Sequence, residues 1–122
     1  MSLNAITVFV ALADGKEAPL IPFYTALFDQ KPAVNIPQVY AEFHLTGLRL
    51  GIFQPKADQQ NQFTGAAGSM SLCVEVSSLE VAIAHLKAIG HSPASAIMTA
   101  SHGQEVYLYD PVGNRLILHE NA

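Results

Sequence analysis

The sequence predicts an α+β fold: a single domain, residues 1–122, made of two successive βαβββ modules. Two observations predict this fold. The order strand, helix, strand, strand, strand occurs twice, and the segments AEFHLTGLRLGIF (41–53) and QEVYLYDPVGNRLILH (104–119) share a hairpin pattern. With 122 residues and 50% hydrophobic composition, the chain is long enough to bury a core. One module alone leaves a sheet face uncovered, so we expect the two copies to pair, within the chain or across a dimer.

Module one is predicted at about residues 1–54. Its first segment, Asn4–Leu12, is rich in β-branched and apolar residues, which favours a strand. Pro19 then opens a helix through PLIPFYTALFD, because a proline in the first turn loses no hydrogen bond. Apolar side chains recur in this helix at three- and four-residue spacing. Three short strands are predicted after it, at 34–36, 39–45 and 48–53.

The polar segment PKADQQNQFTGAAG is predicted to be a linker at about residues 55–68. Module two, at about 69–122, then repeats the order and begins with a strand at 69–76. Ser77 and Glu80 fit a capping box with Ser77 as the N-cap of the second helix. Gly90 is predicted to end this helix. The remaining strands are predicted at 93–99, 104–109 and 114–120.

A turn and a strand are predicted in YDPVGNRLILHE, residues 109–120. Asp-Pro favours the start of the turn, and Gly-Asn tolerates the positive φ that closes it. In the strand that follows, alternation places Leu116 and Leu118 on one face. The opposite face then holds Arg115, Ile117 and His119.

The double βαβββ arrangement, FYTALFDQKP after the first strand and the final YDPVGNRLILHE segment together resemble the vicinal oxygen chelate superfamily. This superfamily includes glyoxalase I, bleomycin-resistance proteins and extradiol dioxygenases. The resemblance covers essentially the whole chain, and the DP-x-GN turn leading into the last strand is its most specific part. It implies two modules that form a curled mixed sheet around a cleft. Helices would cover the convex face, and ligands would bind on the concave face.

Enzymatic members of this superfamily hold a divalent metal in the cleft. Carried onto this chain by strand register, the resemblance implies ligand positions at Thr7, Gly51, Ser71 and Ile117. Neutral hydroxyls are poor ligands for a divalent ion, and glycine and isoleucine side chains offer no donor atom. We therefore expect no metal at the usual site and no other cofactor.

An alternative is a displaced site for zinc, nickel, manganese or iron. Glu42 and His44 lie two residues apart on one strand, and His119 comes from the other module. Imidazole and carboxylate groups suit these ions, although the spacing matches no known signature.

Strand alternation gives the predicted cleft an aromatic and mixed-charge lining, which suits a small organic ligand. Arg49 or Arg115 could hold a carboxylate or phosphate in a two-pronged contact. The competing interpretation is that both arginines pair with Glu42 or Glu105. No catalytic residue is assigned. The predicted ligand-binding residues are Phe9, His44, Arg49, Phe53, Tyr107, Tyr109, Arg115 and His119.

Composition argues against several functional classes. The net charge is −4 with only six Lys+Arg and no basic run, so we expect no nucleic-acid partner. The apolar stretches fall short of the roughly 18 residues of a membrane span. The N-terminus lacks a basic leader and the chain has one cysteine, which predicts a cytoplasmic protein.

The sequence favours a metal-free, small-molecule-binding protein that forms a homodimer, because symmetric pairing closes open sheet edges. Two alternatives stay open. One is a metal-dependent lyase, isomerase or dioxygenase with displaced ligands, and the other is a protein-interaction module with a vestigial cleft. Whether the chain is an enzyme is not decided by the sequence, since non-ligand residues occupy the usual metal positions.

Overall fold

The computed structural model describes residues 3–64 and 68–122, and confirms the α+β fold with its two βαβββ modules. The chain divides into two compact units, Met1–Phe63 and Thr64–Ala122. In the described part of each unit, four strands form one mixed sheet. Residues 65–67 of the predicted linker lie outside the described residues. Within the described ranges, no helix combines the length and the hydropathy of a membrane span.

The first unit pairs a short parallel strand with an antiparallel meander. Its sheet has the order β1-β4-β3-β2. The elements are β1 (Val10–Ala13), α1 (Leu20–Phe28), β2 (Val34–Ile36), β3 (Tyr40–Leu45), β4 (Leu48–Phe53) and a 3₁₀ helix at Ala57–Phe63. The prediction that β1 begins at Asn4 is wrong. Val10 pairs with Leu50, and β4 begins at Leu48, so residues before Val8 have no β4 residue opposite them.

The core of the first unit lies between α1 and one face of its sheet. The helix starts after Pro19, as predicted, and the carboxylate of Asp14 accepts the Leu20 amide at 3.1 Å. This bond satisfies one of the amides that a helix start leaves unpaired. The fully or almost fully buried apolar residues of this unit are Leu20, Phe23, Tyr24, Ala41, Phe43, Leu50 and Ile52.

The second unit repeats the arrangement with the sheet order β5-β8-β7-β6. Its elements are β5 (Leu72–Glu75), α2 (Leu79–Ala88), β6 (Met98–Ala100), β7 (Gly103–Tyr109) and β8 (Arg115–Asn121). The strand β5 is shorter than predicted, and β6 lies later in the chain. Gly90 has φ +84° directly after the C-cap of α2, as predicted for a terminating glycine.

The start of α2 lies one residue later than predicted. Ser78, not Ser77, is the N-cap, because its extended backbone places the hydroxyl where it accepts the Val81 amide at 3.2 Å. A second acceptor comes from the last strand, where Glu120 Oε1 lies 2.5 Å from the Leu79 amide nitrogen. The final glutamate of the chain therefore caps a helix.

A single buried carboxylate holds the turn between β7 and β8. Asp110 Oδ1 accepts the amides of Val112 and Asn114, both at 3.0 Å, and Gly113 has φ +95°. The turn sets the register of β8, in which Ile117 lies opposite Tyr107. Leu116 is fully buried on the helix side, so Ile117 belongs to the open face of the sheet. This confirms the predicted faces of the strand.

Candidate functional site

The open face of the first sheet carries a polar cluster around Glu42. The Glu42 side chain is 13% exposed, and the Tyr40 hydroxyl donates to its Oε2 at 2.6 Å. Its Oε1 lies 2.6 Å from His44 Nε2 and 3.3 Å from Arg49 Nε. Tyr40, Glu42, His44 and Arg49 are called the Glu42 cluster below. The competing interpretation of Arg49, pairing with Glu42, is therefore what the structure shows.

These contacts fix the charge states inside the Glu42 cluster. Hydrogen bonds from Tyr40 and His44, followed by the charge of Arg49, lower the pKa of Glu42 below its usual value. Burial and the bond to Glu42 raise the pKa of Tyr40 to about 12. At neutral pH, Glu42 is a carboxylate whose two oxygens already have partners, and Tyr40 is a neutral donor. An incoming cation would have to displace these partners.

Gly51, one of the four mapped metal positions, is covered by the Tyr40 ring. A Cβ placed on Gly51 would lie 2.7 Å from the Tyr40 hydroxyl oxygen and 3.0 Å from its Cε1. The Tyr40 phenol occupies the space that a side chain at position 51 would take, so a larger residue would have to displace it. The residues present in this unit therefore do not fit a metal ligand at position 51.

The two predicted aromatic residues of the first module flank this cluster. Phe9 is partly exposed, and the Arg49 guanidinium carbon lies 6.0 Å from its ring centroid, which is the limit of a cation–π contact. Phe53 lies opposite Tyr40 in the strand pairing and packs edge-to-face on Phe63 at 5.0 Å. Phe9, His44, Arg49 and Phe53 thus line one open sheet face.

The open face of the second sheet presents a positive charge held by neutral partners. Arg115 donates to Ser71 Oγ at 3.1 Å and to the Gly68 carbonyl at 2.7 Å. The alternative, that Arg115 pairs with Glu105, is wrong, because Glu105 lies opposite His119 further along the hairpin. Tyr109 lies directly opposite Arg115 and is exposed, so the arginine and the phenol form one accessible patch.

Ile117 lies at the centre of this face, between Cys73 of β5 and Tyr107 of β7. Its side chain offers no metal ligand, as expected from the sequence. The equivalent register in the first unit pairs Ala11 with Gly51. Counting back two residues makes Phe9 the counterpart of Ser71, so the mapping to Thr7 was two residues too early. A phenyl ring is no better as a ligand than a hydroxyl.

A second polar cluster surrounds His119, two residues beyond Ile117. His119 is 5% exposed, and its Nδ1 lies 2.9 and 3.0 Å from the two carboxylate oxygens of Glu75. The His102 ring lies over it with 4.6 Å between centroids, and Glu105 is its neighbour across the hairpin. His102, Glu105, His119 and Glu75 are called the His119 cluster below.

Sequence reasoning missed most of the His119 cluster. It grouped His119 with Glu42 and His44, whereas the structure gives His119 partners from its own unit and pairs His44 with Glu42. Counting outward from the DPVGN turn would have matched Glu105 with His119. No spacing rule would have found His102 or Glu75, which approach from a loop and from a parallel strand.

Comparison with known proteins identifies the fold. No protein-family model matches the sequence, and no curated protein matches it. Among solved structures, the chain is similar to a glyoxalase/bleomycin resistance protein from Catenulispora acidiphila, with 19% identity over 97% of this chain and 100% of that one and a TM-score of 0.72.

Two further structures carry different names on the same fold. The genomically encoded fosfomycin resistance protein of Listeria monocytogenes has 14% identity, 98% and 96% coverage of the two chains, and a TM-score of 0.75. A lactoylglutathione lyase from Agrobacterium tumefaciens has 17% identity, 95% and 94% coverage, and a TM-score of 0.72. Identities this low establish architecture rather than activity. The chain therefore has the fold of these glyoxalase and bleomycin-resistance structures, as the sequence resemblance implied.

Proposed function

We propose that this chain binds a small organic molecule and carries no metal at the four positions mapped from the superfamily resemblance. One observation carries this proposal. The side chains at the mapped positions provide no ligand set, since Tyr40 covers Gly51 and Ile117 occupies the open face of β8. A divalent ion needs several good donors at once. Because non-ligand residues occupy all four mapped positions, the open faces would bind an organic ligand by shape and charge.

The chemistry of the open faces supports a flat ligand with an anionic group. Tyr109, opposite Arg115 on the second sheet, is an exposed aromatic side chain, and a ring gains contact area against it. Arg115 contacts a hydroxyl and a carbonyl, so in these contacts no carboxylate offsets its charge. A carboxylate or phosphate on the ligand would provide that charge.

Thermal-shift screening with aromatic acids, antibiotics and thiol adducts, in the presence of a chelator, tests the binding proposal. We expect an anionic aromatic compound to raise the melting temperature, because a ligand that binds only the folded state stabilises it. The variant Arg115→Ala should lose the shift. Lys87→Ala, which removes the same charge from the exposed side of α2, should keep it. No shift across the library would contradict the proposal, and so would an equal loss in both variants.

We also propose that the chain forms a homodimer. The segment before β1 supports this, because Leu3, Ile6 and Val8 are 92, 99 and 84% exposed. Apolar side chains grouped in this way favour burial in a contact, and symmetric pairing is the commonest form of such a contact. A cytoplasmic location remains a prediction from composition.

Light scattering at micromolar concentration measures the assembly. We expect twice the 13.1 kDa mass of one chain for the wild type and for Val81→Asp, and a shift to the single-chain mass for Ile6→Asp. Val81 is the control because it is an exposed apolar residue on α2. A wild-type protein of 13.1 kDa would refute the dimer, as would equal dissociation of the two variants.

A further inference from the structure

The His119 ring contains a buried nitrogen atom, Nε2. Among the buried side-chain nitrogen and oxygen atoms of the described residues, His119 Nε2 stands without a hydrogen-bond partner. The residue is 5% exposed and its side chain is 7% exposed. Burying a polar atom without a partner is costly, and native structures rarely do so without a reason.

Glu75 determines which nitrogen of the His119 ring carries the proton. Both carboxylate oxygens of Glu75 lie within 3.0 Å of His119 Nδ1. An ionised carboxylate only accepts hydrogen bonds, so in the neutral imidazole Nδ1 carries the proton and Nε2 holds a lone pair. The same arrangement, with a carboxylate on one ring nitrogen, orients histidines that bind metals through the other nitrogen.

Two more donor groups lie close to the His119 ring. The donor atoms of His102, Glu105 and His119 all lie within 4.8 Å of one another. Around a tetrahedral ion with bonds of about 2.1 Å, donor atoms are about 3.4 Å apart. His102 is exposed and Glu105 is half-buried, so their side chains have room to rotate toward ligand distances. Gly103 leaves space beside His119 Nε2, since a Cβ at position 103 would lie 3.0 Å from that nitrogen.

We propose that His102, Glu105 and His119 bind a divalent transition metal ion such as Zn²⁺, Ni²⁺ or Co²⁺, and that Glu75 positions His119. Two imidazoles and one carboxylate are ligands that these ions prefer, and three protein ligands leave a tetrahedral position open to water or a small anion. The site lies at His119, two residues from the mapped position Ile117. It is therefore separate from the four mapped positions and compatible with the non-ligand residues found there.

Metal titration tests the site. Chelator-treated protein is titrated with Zn²⁺ against a chromophoric chelator and with Co²⁺ by its visible absorption. We expect one equivalent to bind, with affinity reduced at least tenfold in His102→Ala and in Glu105→Gln. These residues are not buried, so both variants should retain the fold, which circular dichroism checks. His85→Ala, a histidine on α2 in the same unit, should bind as the wild type does.

Two further variants test the role of Glu75 and the location of the ion. Glu75→Gln should weaken binding about 10- to 100-fold, which is the usual effect of removing a carboxylate behind a histidine ligand. His44→Ala should bind normally. An equal loss in His44→Ala would place the ion at the alternative set with Glu42 and overturn the proposal. Failure to bind either ion below millimolar concentration would also overturn it. The thermal-shift screening is done with a chelator present, so neither outcome of the metal titration changes its result.

Discussion

We expect Gly103→Ala to destabilise the protein by about 3 kcal/mol. The substitution combines a strained backbone with an overpacked contact. Gly103 has φ +150°, a conformation that residues with a side chain rarely adopt. A Cβ there would also lie 2.0 Å from the backbone carbonyl oxygen of Glu120. A backbone atom inside a sheet cannot rotate away, so β7 and β8 would have to separate at this end. For a chain of this size, the melting temperature should fall by roughly 10 °C.

Gly113→Ala is the matched control in the same hairpin. Gly113 has φ +95°, but a Cβ there meets nothing within 4 Å. Its replacement adds backbone strain alone, which costs about 1 kcal/mol. Urea unfolding of both variants separates strain from collision. Equal losses would show that the Glu120 carbonyl does not press on position 103, and that the approach to His119 is wider than the structure indicates.

Periodicity predicted the parts of the fold that repeat locally. The alternation of β8 correctly separated Leu116 and Leu118 from Ile117, because the DPVGN turn fixes where the strand begins. The strand β4 was predicted with its observed limits, Leu48–Phe53. Alternation reports which residues a sheet buries, and this information is contained in a short segment of sequence.

The ends of the first strands could not be predicted in this way. The segment before Val10 has the composition of a strand, but a strand also needs a partner opposite it. In the first unit β1 pairs with β4, and the register of that pair limits β1. Register between distant segments is not contained in either segment alone. The same reason explains the mapping of Thr7 in place of Phe9.

The two polar clusters show the same division between local and distant information. Glu42 and His44 are two residues apart, so a shared face was predictable, whereas the Tyr40 ring over Gly51 was not. The His119 cluster joins β5, β8, β7 and the loop before β7. A site assembled from four segments leaves no spacing pattern in the chain.

The face assignment of β8 has a second large consequence. Leu116→Ala should cost about 3 kcal/mol, the usual loss for a fully buried leucine, because the cavity lies between the sheet and α2. Ile117→Ala removes the same number of carbon atoms but should cost only about 1 kcal/mol, since Ile117 is half-buried on the open face. Urea denaturation measures both free energies of unfolding.

Which of these two substitutions lowers the free energy of unfolding more also tests the proposed function. The absence of a metal ligand at position 117 matters only if that side chain points away from the helix, where a ligand would bind. A greater loss for Ile117→Ala than for Leu116→Ala would mean that the register is shifted by one residue, which turns every side chain of β8 to the other face. His119 would then face the helix, and both the binding face and the metal site proposed at His119 would lose their geometry. A loss at Leu116 at least twice that at Ile117 instead supports the register on which both depend.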